Sequence, residues 1–216
     1  MTMDCCSRSL LPMKRPSITS VTIEPVYPFY EISAFNAYCV RKSKDALVAI
    51  RRKGRRITRA ERAEALNLIS DIRTSSVIAV VFAATCLENF IYRYALRRLS
   101  HQYYMVHLDR LNLFSKWLVI PRIVTHKELD ARSPALNSLR QLISARNDII
   151  HAKASVRIGP TRKEAKQFMD RSLDAMDEVE RSAERAPKVV EDAVNFIRTV
   201  DRSRTVKALI RETLAN

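Results

Sequence analysis

The spacing of apolar positions predicts helix over most of the chain, with polar punctuation between segments. A helical pattern runs from near Ser33 to about Lys53, followed by a basic loop. Thr58, with Glu61 three residues on, predicts a capping box at a helix start. A second start near Thr74 leads into an apolar segment reaching about Leu99. The stretch from Leu108 to Pro121 is less regular. Ser133-Pro134 pairs a hydroxyl N-cap with proline at the first helical position, where its missing N–H is not needed. The helix it opens should run to about Ser155, because Gly159-Pro160 ends it. Thr161 and Glu164 give another capping box, and Pro187 is expected to divide the remainder into helices over 161–185 and 188–214. Four of the eight prolines fall in residues 1–32, which read as an arm ahead of a helical domain over 33–216.

Composition narrows the class. Only Gly54 and Gly159 are present, so no glycine-rich loop can bring backbone N–H groups onto a phosphate, and Walker-type and dinucleotide sites are excluded. The same scarcity argues against a turn-dense β architecture and for an all-α bundle. Cys5, Cys6, Cys39 and Cys86 fit no CxxC or zinc spacing and read as free thiols of a reducing cytosol. No secretory leader is visible. The longest apolar run, Val77 to Leu87, stops at Glu88 after eleven residues, too short to span a bilayer. The expectation is a soluble, cytoplasmic protein with no membrane partner.

Charge changes the picture again. Thirty-eight Lys and Arg against 23 Asp and Glu leave +15, and Arg51, Arg52, Lys53, Arg55, Arg56 and Arg59 put six cations in nine residues, enough for several phosphate contacts. Arg93, Arg97 and Arg98 extend positive charge along another helix end, which favours a nucleic-acid field over a solvated loop. No RNA-recognition aromatic pattern accompanies them, so sequence-specific base reading is not expected.

The helix from Pro134 holds the candidate chemistry. On a wheel with Arg146 at zero, Leu139 and Ile150 fall near about 20° and 40°, Ile143 near about 60°, and Leu142 and Ile149 near about 320° and 300°. That places Arg146 in the middle of the apolar stripe, with Asn147 and His151 one turn apart on its flank. A guanidinium among leucines costs several kcal/mol unless paired or left at a wet interface. Glu88, on the apolar face that holds Val77, Ala84, Tyr92, Ala95 and Leu99, is the candidate partner. A purely structural Glu88–Arg146 pair locking two helices competes with a functional reading of the arginine.

Arg146-Asn147-Asp148-Ile149-Ile150-His151 resembles the Rx4–6H motif of the HEPN (higher eukaryotes and prokaryotes nucleotide-binding) superfamily. Lys116-Trp117-Leu118-Val119-Ile120-Pro121 is similar to the Lys-Trp and Pro pattern that precedes the motif in some bacterial members, and Glu88 matches an acidic position on an earlier helix. The resemblance covers roughly residues 35–180 and implies an up-and-down helical bundle that dimerises, with additional C-terminal helices here. It further implies a metal-independent endoribonuclease of a toxin–antitoxin or phage-defence system, with Arg146 and His151 as the catalytic pair, Asn147 assisting and Glu88 supporting. Members silenced by nucleotidyl transfer carry Tyr two residues after the histidine. Lys153 stands there in this chain, which argues against that mode of antitoxin control.

These residues suit RNA cleavage without a cofactor. The 2′-OH is the nucleophile, so the reaction needs a proton acceptor, a proton donor for the leaving 5′-oxygen, and a cation for the phosphorane charge. His151 can do the proton work near neutral pH, as an imidazole generally can, and Arg146 can brace the phosphate. No metal cage is expected, because His101, His107 and His126 match no carboxylate spacing. The expected partners are RNA, with tRNA among the candidates, a second copy of the chain, and an antitoxin or defence-system protein. The competing expectation is a non-catalytic nucleotide- or nucleic-acid-binding or dimerisation module of the same fold. A third is a helical scaffold whose arm engages a protein.

Overall fold

The computed structural model describes residues 28–150 and 162–214, with residues 55 and 162–175 as backbone alone. Seven helices and no strand occupy the described residues: α1 (Phe29–Arg52), α2 (Arg59–Arg98), α3 (His101–Tyr103), α4 (Leu113–Thr125), α5 (Pro134–Ile150), α6 (Arg162–Val200) and α7 (Arg204–Leu214). The all-α expectation holds. α1 begins at Phe29, four residues earlier than the periodicity suggested, and the basic run is not one loop: α1 carries Arg51 and Arg52 in its last turn, and only Gly54–Arg56 form a short 3-10 turn before α2. Gly54, at φ +55°, supplies the left-handed residue of that reversal.

α2 is one unbroken helix of 40 residues, about 60 Å long. The Thr58–Glu61 capping box forms at its start, with the Thr58 hydroxyl accepting from the Glu61 N–H at 3.2 Å and the Glu61 carboxylate accepting from the Thr58 N–H at 2.8 Å. The expected restart at Thr74 does not occur. Ser and Thr favour caps only where the preceding turn ends, and here Ile72 and Ser76 are buried, carrying the helix through on tertiary packing. From Ala79 to Ala95 the helix is buried on most sides against α1, α5 and α6. α2 is long and apolar enough to cross a membrane by length and composition, and half of its most apolar window is buried inside the bundle.

α1 and α6 pack on α2 and are pinned to each other. The Tyr30 hydroxyl donates to Glu191 at 2.5 Å, and the Lys44 ammonium reaches Glu184 at 2.6 Å and Glu180 at 3.2 Å, which fixes the two helices antiparallel. α6 passes straight through Pro187, against expectation. Proline removes one ladder bond, and the burial of Ala183, Ala186, Val189, Val190 and Ala193 on the core side offsets it. The actual break lies at Asp201–Ser203, where the Asp201 carboxylate accepts from the Ser203 N–H at 3.0 Å and the Ser203 hydroxyl caps α7. α4 replaces the irregular stretch; Asn112 caps it through Ser115 at 2.8 Å, and Pro121 sits inside it. α5 starts at Pro134 as the sequence signals, with the Ser133 carbonyl accepting from Asn137 at 2.9 Å.

Candidate functional site

α5 buries Leu136, Leu139, Leu142 and Ala145, a row of residues three apart. Such rows are inclined to the helix axis, so the buried stripe winds towards Ala145 and the half-buried Ile149 at the C-terminal end. Arg146 therefore lies on the edge of the stripe rather than at its centre: it is half-buried, Asn147 is exposed, and Ile150 is 48 % exposed. The Arg146 guanidinium donates through Nη1 to Asn147 Oδ1 at 3.1 Å. Arg146 and Asn147 are thus brought together. His151, like the expected end of the helix at Ser155 and the Thr161 cap, lies outside the described residues.

The Glu88–Arg146 pair is not formed. Glu88 is exposed, and no carboxylate among the described residues pairs with Arg146. The wheel could not show this, because α2 is apolar almost all round and the angle alone does not tell which edge its neighbours leave open. Val81, Thr85 and Tyr92, on the same edge as Glu88, are only partly covered. Arg146 needs no buried partner because it reaches solvent from the stripe's rim.

The helix registers fix where this motif points. Ser138, Pro134 and Ala135 share a surface notch with Asn195, Phe196 and Thr199 of α6, whereas Leu142 and Gln141 lie against Arg181 and Arg185. α5 therefore runs antiparallel to α6, and its Arg146 end faces the early part of α6. The same part of α6, at Met176, Asp177 and Glu180, borders a cleft with Leu47, Arg51, Ile69 and Arg73. So the C-terminal end of α5 and the tip of the α1–α2 hairpin lie towards one end of the bundle.

That tip carries the basic cluster. Arg51, Arg52, Arg56 and Arg59 are exposed and have no ion-pair partner among the described residues, and Arg62, not anticipated, joins them on the first turn of α2. Lys53 is different: its ammonium pairs with Glu61. That lysine, followed by the Thr58 backbone and hydroxyl, holds the Glu61 carboxyl down at about 2. The side chain of Arg55 is not among those described. The other basic stretch proves structural. Arg93 pairs with Glu212 of α7, Arg97 reaches the same carboxylate at 2.7 Å, and Arg98 lies 3.6 Å from Asp201 in the turn before α7, so all three cations are ion-paired within the bundle. No sequence spacing linked residues more than a hundred positions apart.

Among the described residues no group of three His, Cys, Asp or Glu side chains is placed to hold a metal ion. Burial pushes the Cys86 thiol up to about 12, leaving it inert. The chain matches no protein-family model, no curated protein and no solved structure.

Proposed function

We propose that the chain is a metal-independent endoribonuclease of the HEPN type, acting in the cytoplasm as a dimeric toxin or defence effector on RNA, with tRNA among its substrates. The observation that carries this reading is the state of Arg146: a half-buried guanidinium, oriented by Asn147, with no carboxylate among the described residues to occupy it. A cation kept free and pre-positioned suits a phosphate, because a rigid donor fork delivers its hydrogen bonds with little reorganisation. The basic tip at the same end of the bundle supplies the field that gathers a polyanion there.

In the reaction, His151 takes the proton of the 2′-OH as the 2′-oxygen–phosphorus bond forms. The 5′-oxygen–phosphorus bond then breaks with protonation of the leaving oxygen, giving a 2′,3′-cyclic phosphate and a 5′-OH. Two α5 helices brought together in a dimer supply the second imidazole for that protonation. Exposed Ile150 beside the motif supports such a contact, because a second copy would bury it. Light scattering should give about twice the chain mass of 24.8 kDa. Expression of wild type should arrest cell growth and His151→Ala should not; equal toxicity would transfer the reading to a non-catalytic binding module of the same fold.

A further inference from the structure

α7 is the element that the reading above leaves without a task. Its two sides differ sharply: Val206 and Leu209 are buried in the core, while Arg204, Lys207 and Arg211, spaced i, i+3 and i+7, stand exposed along one outward face. Arg198 in the last turn of α6 and Arg202 in the connecting turn are exposed just ahead of it. Among the described residues none of these five cations forms an ion pair. The two carboxylates of the same stretch are already committed, Asp201 to Arg98 and Glu212 to Arg93 and Arg97. Neither offsets the outward charge. Exposed Lys127 adds a sixth cation, its ammonium donating to the Val200 carbonyl at 3.2 Å where α6 ends.

The stability of α7 does not account for this charge. Arg202 and Arg204 bracket the start of a helix with no acidic residue in its first turn, where cations oppose the macrodipole. Like charges at this density repel one another, and an anion seated among them relieves the repulsion. A phosphate backbone fits better than a membrane surface. A basic amphipathic helix holds to lipid by inserting its apolar face, but that face of α7 is spent on the core, and the helix exposes no large apolar side chain. It also carries no aromatic ring on which a base could stack, so contact with a nucleic acid here is through phosphates. The position is equally informative. Glu212 ties α7 to Arg93 and Arg97 near the C-terminal end of α2, whereas Arg59 of the hairpin tip opens that helix. Arg59 and Arg93 are about 50 Å apart along the unbroken α2.

We propose that the outward face of α7, with Arg198 and Arg202, is a second phosphate-binding surface that grips the same RNA as the hairpin tip, so that one strand is held at both ends of the bundle. The inference rests on the ribonuclease reading for its RNA, so its test is a binding measurement on 2′-O-methyl RNA, which has no free 2′-hydroxyl and cannot be cut. Fluorescence anisotropy compares labelled strands of about 6 and about 30 nucleotides; at about 3.4 Å of rise per phosphate only the longer one bridges about 50 Å. A triple variant, Arg204→Gln with Lys207→Gln and Arg211→Gln, changes exposed residues only and should melt as wild type does. It should weaken the long strand about tenfold or more and flatten the log K against log[salt] slope by about 2. The short strand should lose no more than about twofold, because the tip still holds it. Arg204→Lys with Arg211→Lys keeps the charge and should bind within about twofold of wild type, since phosphate neutralisation needs charge rather than a guanidinium. Unchanged affinity of the triple variant for the long strand would overturn the proposal, as would an equal loss for both lengths, which makes α7 the sole site. Wild-type binding to phosphatidylserine vesicles that the triple variant loses, with RNA affinity intact, would give the face to a membrane instead. If the length-dependent pattern holds while natural RNA stays uncut, the ribonuclease reading falls and the second surface stands.

Discussion

Arg146 shows how far a single position can be read. The wheel identified a cation at an apolar stripe; it could not show that the stripe winds away from Arg146 near the end of α5. The difference alters what a mutation tests. With no Glu88 pair to break, Arg146→Ala strands no buried carboxylate, and Glu88→Ala removes only an exposed charge. Both variants should melt within about 2 °C of wild type, as surface substitutions do, and only Arg146→Ala should lose cleavage. A large destabilisation by Arg146→Ala, measured calorimetrically, would return the arginine to a structural role. Asp201 is the opposite case, a buried carboxylate that the sequence did not single out. Burial raises its pKa, but the Ser203 backbone and hydroxyl, the Tyr94 hydroxyl at 3.0 Å and Arg98 outweigh that and hold it below the ordinary carboxylate value. Because the folded value is depressed, its contribution to stability is complete above the unfolded value and is lost as pH falls through the folded one. Wild-type Tm should therefore fall as pH drops below about 4, and Asp201→Asn should be less stable at neutral pH with a shallower acid slope. An identical slope in the variant would assign acid sensitivity to other groups.

At the scale of elements, local chemistry located the starts of helices better than their ends. The Thr58–Glu61 box and the Ser133-Pro134 start were legible because a cap is a property of four adjacent residues. The continuity of α2 through Thr74 and of α6 through Pro187 was not, since both depend on helices packed alongside. The break after Val200 lacked glycine or proline and rests on Asp201 and Ser203 bonding to nearby backbone. α7 illustrates a purely tertiary attachment: Val206 and Leu209 are buried, and Glu212 ties the helix to Arg93 and Arg97 of α2. Its carboxyl is held below the ordinary range despite partial burial, because the two guanidinium groups favour the charge. Glu212→Gln should loosen α7, by roughly 1 kcal/mol or less since the pair is half solvated. Hydrogen exchange should show faster opening of residues 204–214 in the variant with α2 unchanged, and the difference should shrink in high salt. Equal exchange would mean that Val206 and Leu209 alone hold the helix.

On the scale of the whole molecule, an all-α bundle was legible from two glycines and helical spacing, whereas the relation of motif to charge was not. Arg93, Arg97 and Arg98 read in sequence as part of the nucleic-acid field and prove to be ion-paired, Arg93 and Arg97 to Glu212 of α7 and Arg98 to Asp201 in the turn before it. Besides Arg198, Arg202, Arg204, Lys207 and Arg211 around α7, exposed cations without an ion pair among the described residues gather at the hairpin tip, on Arg51, Arg52, Arg56 and Arg59, at the end of the bundle that holds Arg146. RNA affinity should accordingly fall steeply with salt, and neutralising three of those arginines should weaken binding and flatten the log K against log[salt] slope by about 2 to 3. Neutralising Arg93 and Arg97 instead should act on stability first. A slope unchanged by the tip substitutions would place the RNA elsewhere.

The central claim is that this bundle cuts RNA through its own 2′-hydroxyl, with Arg146 and His151 as the working pair. The most direct measurement incubates purified protein with an RNA oligonucleotide in EDTA and identifies the product ends by mass spectrometry. The oligonucleotide is compared with one carrying a single 2′-deoxy nucleotide at the cleaved position. Cleavage that persists in EDTA, leaves a 2′,3′-cyclic phosphate, spares the deoxy substrate and disappears in both Arg146→Ala and His151→Ala is the expected result. A 3′-OH product, cleavage of the deoxy substrate, or full activity in a folded His151→Ala variant would contradict the account.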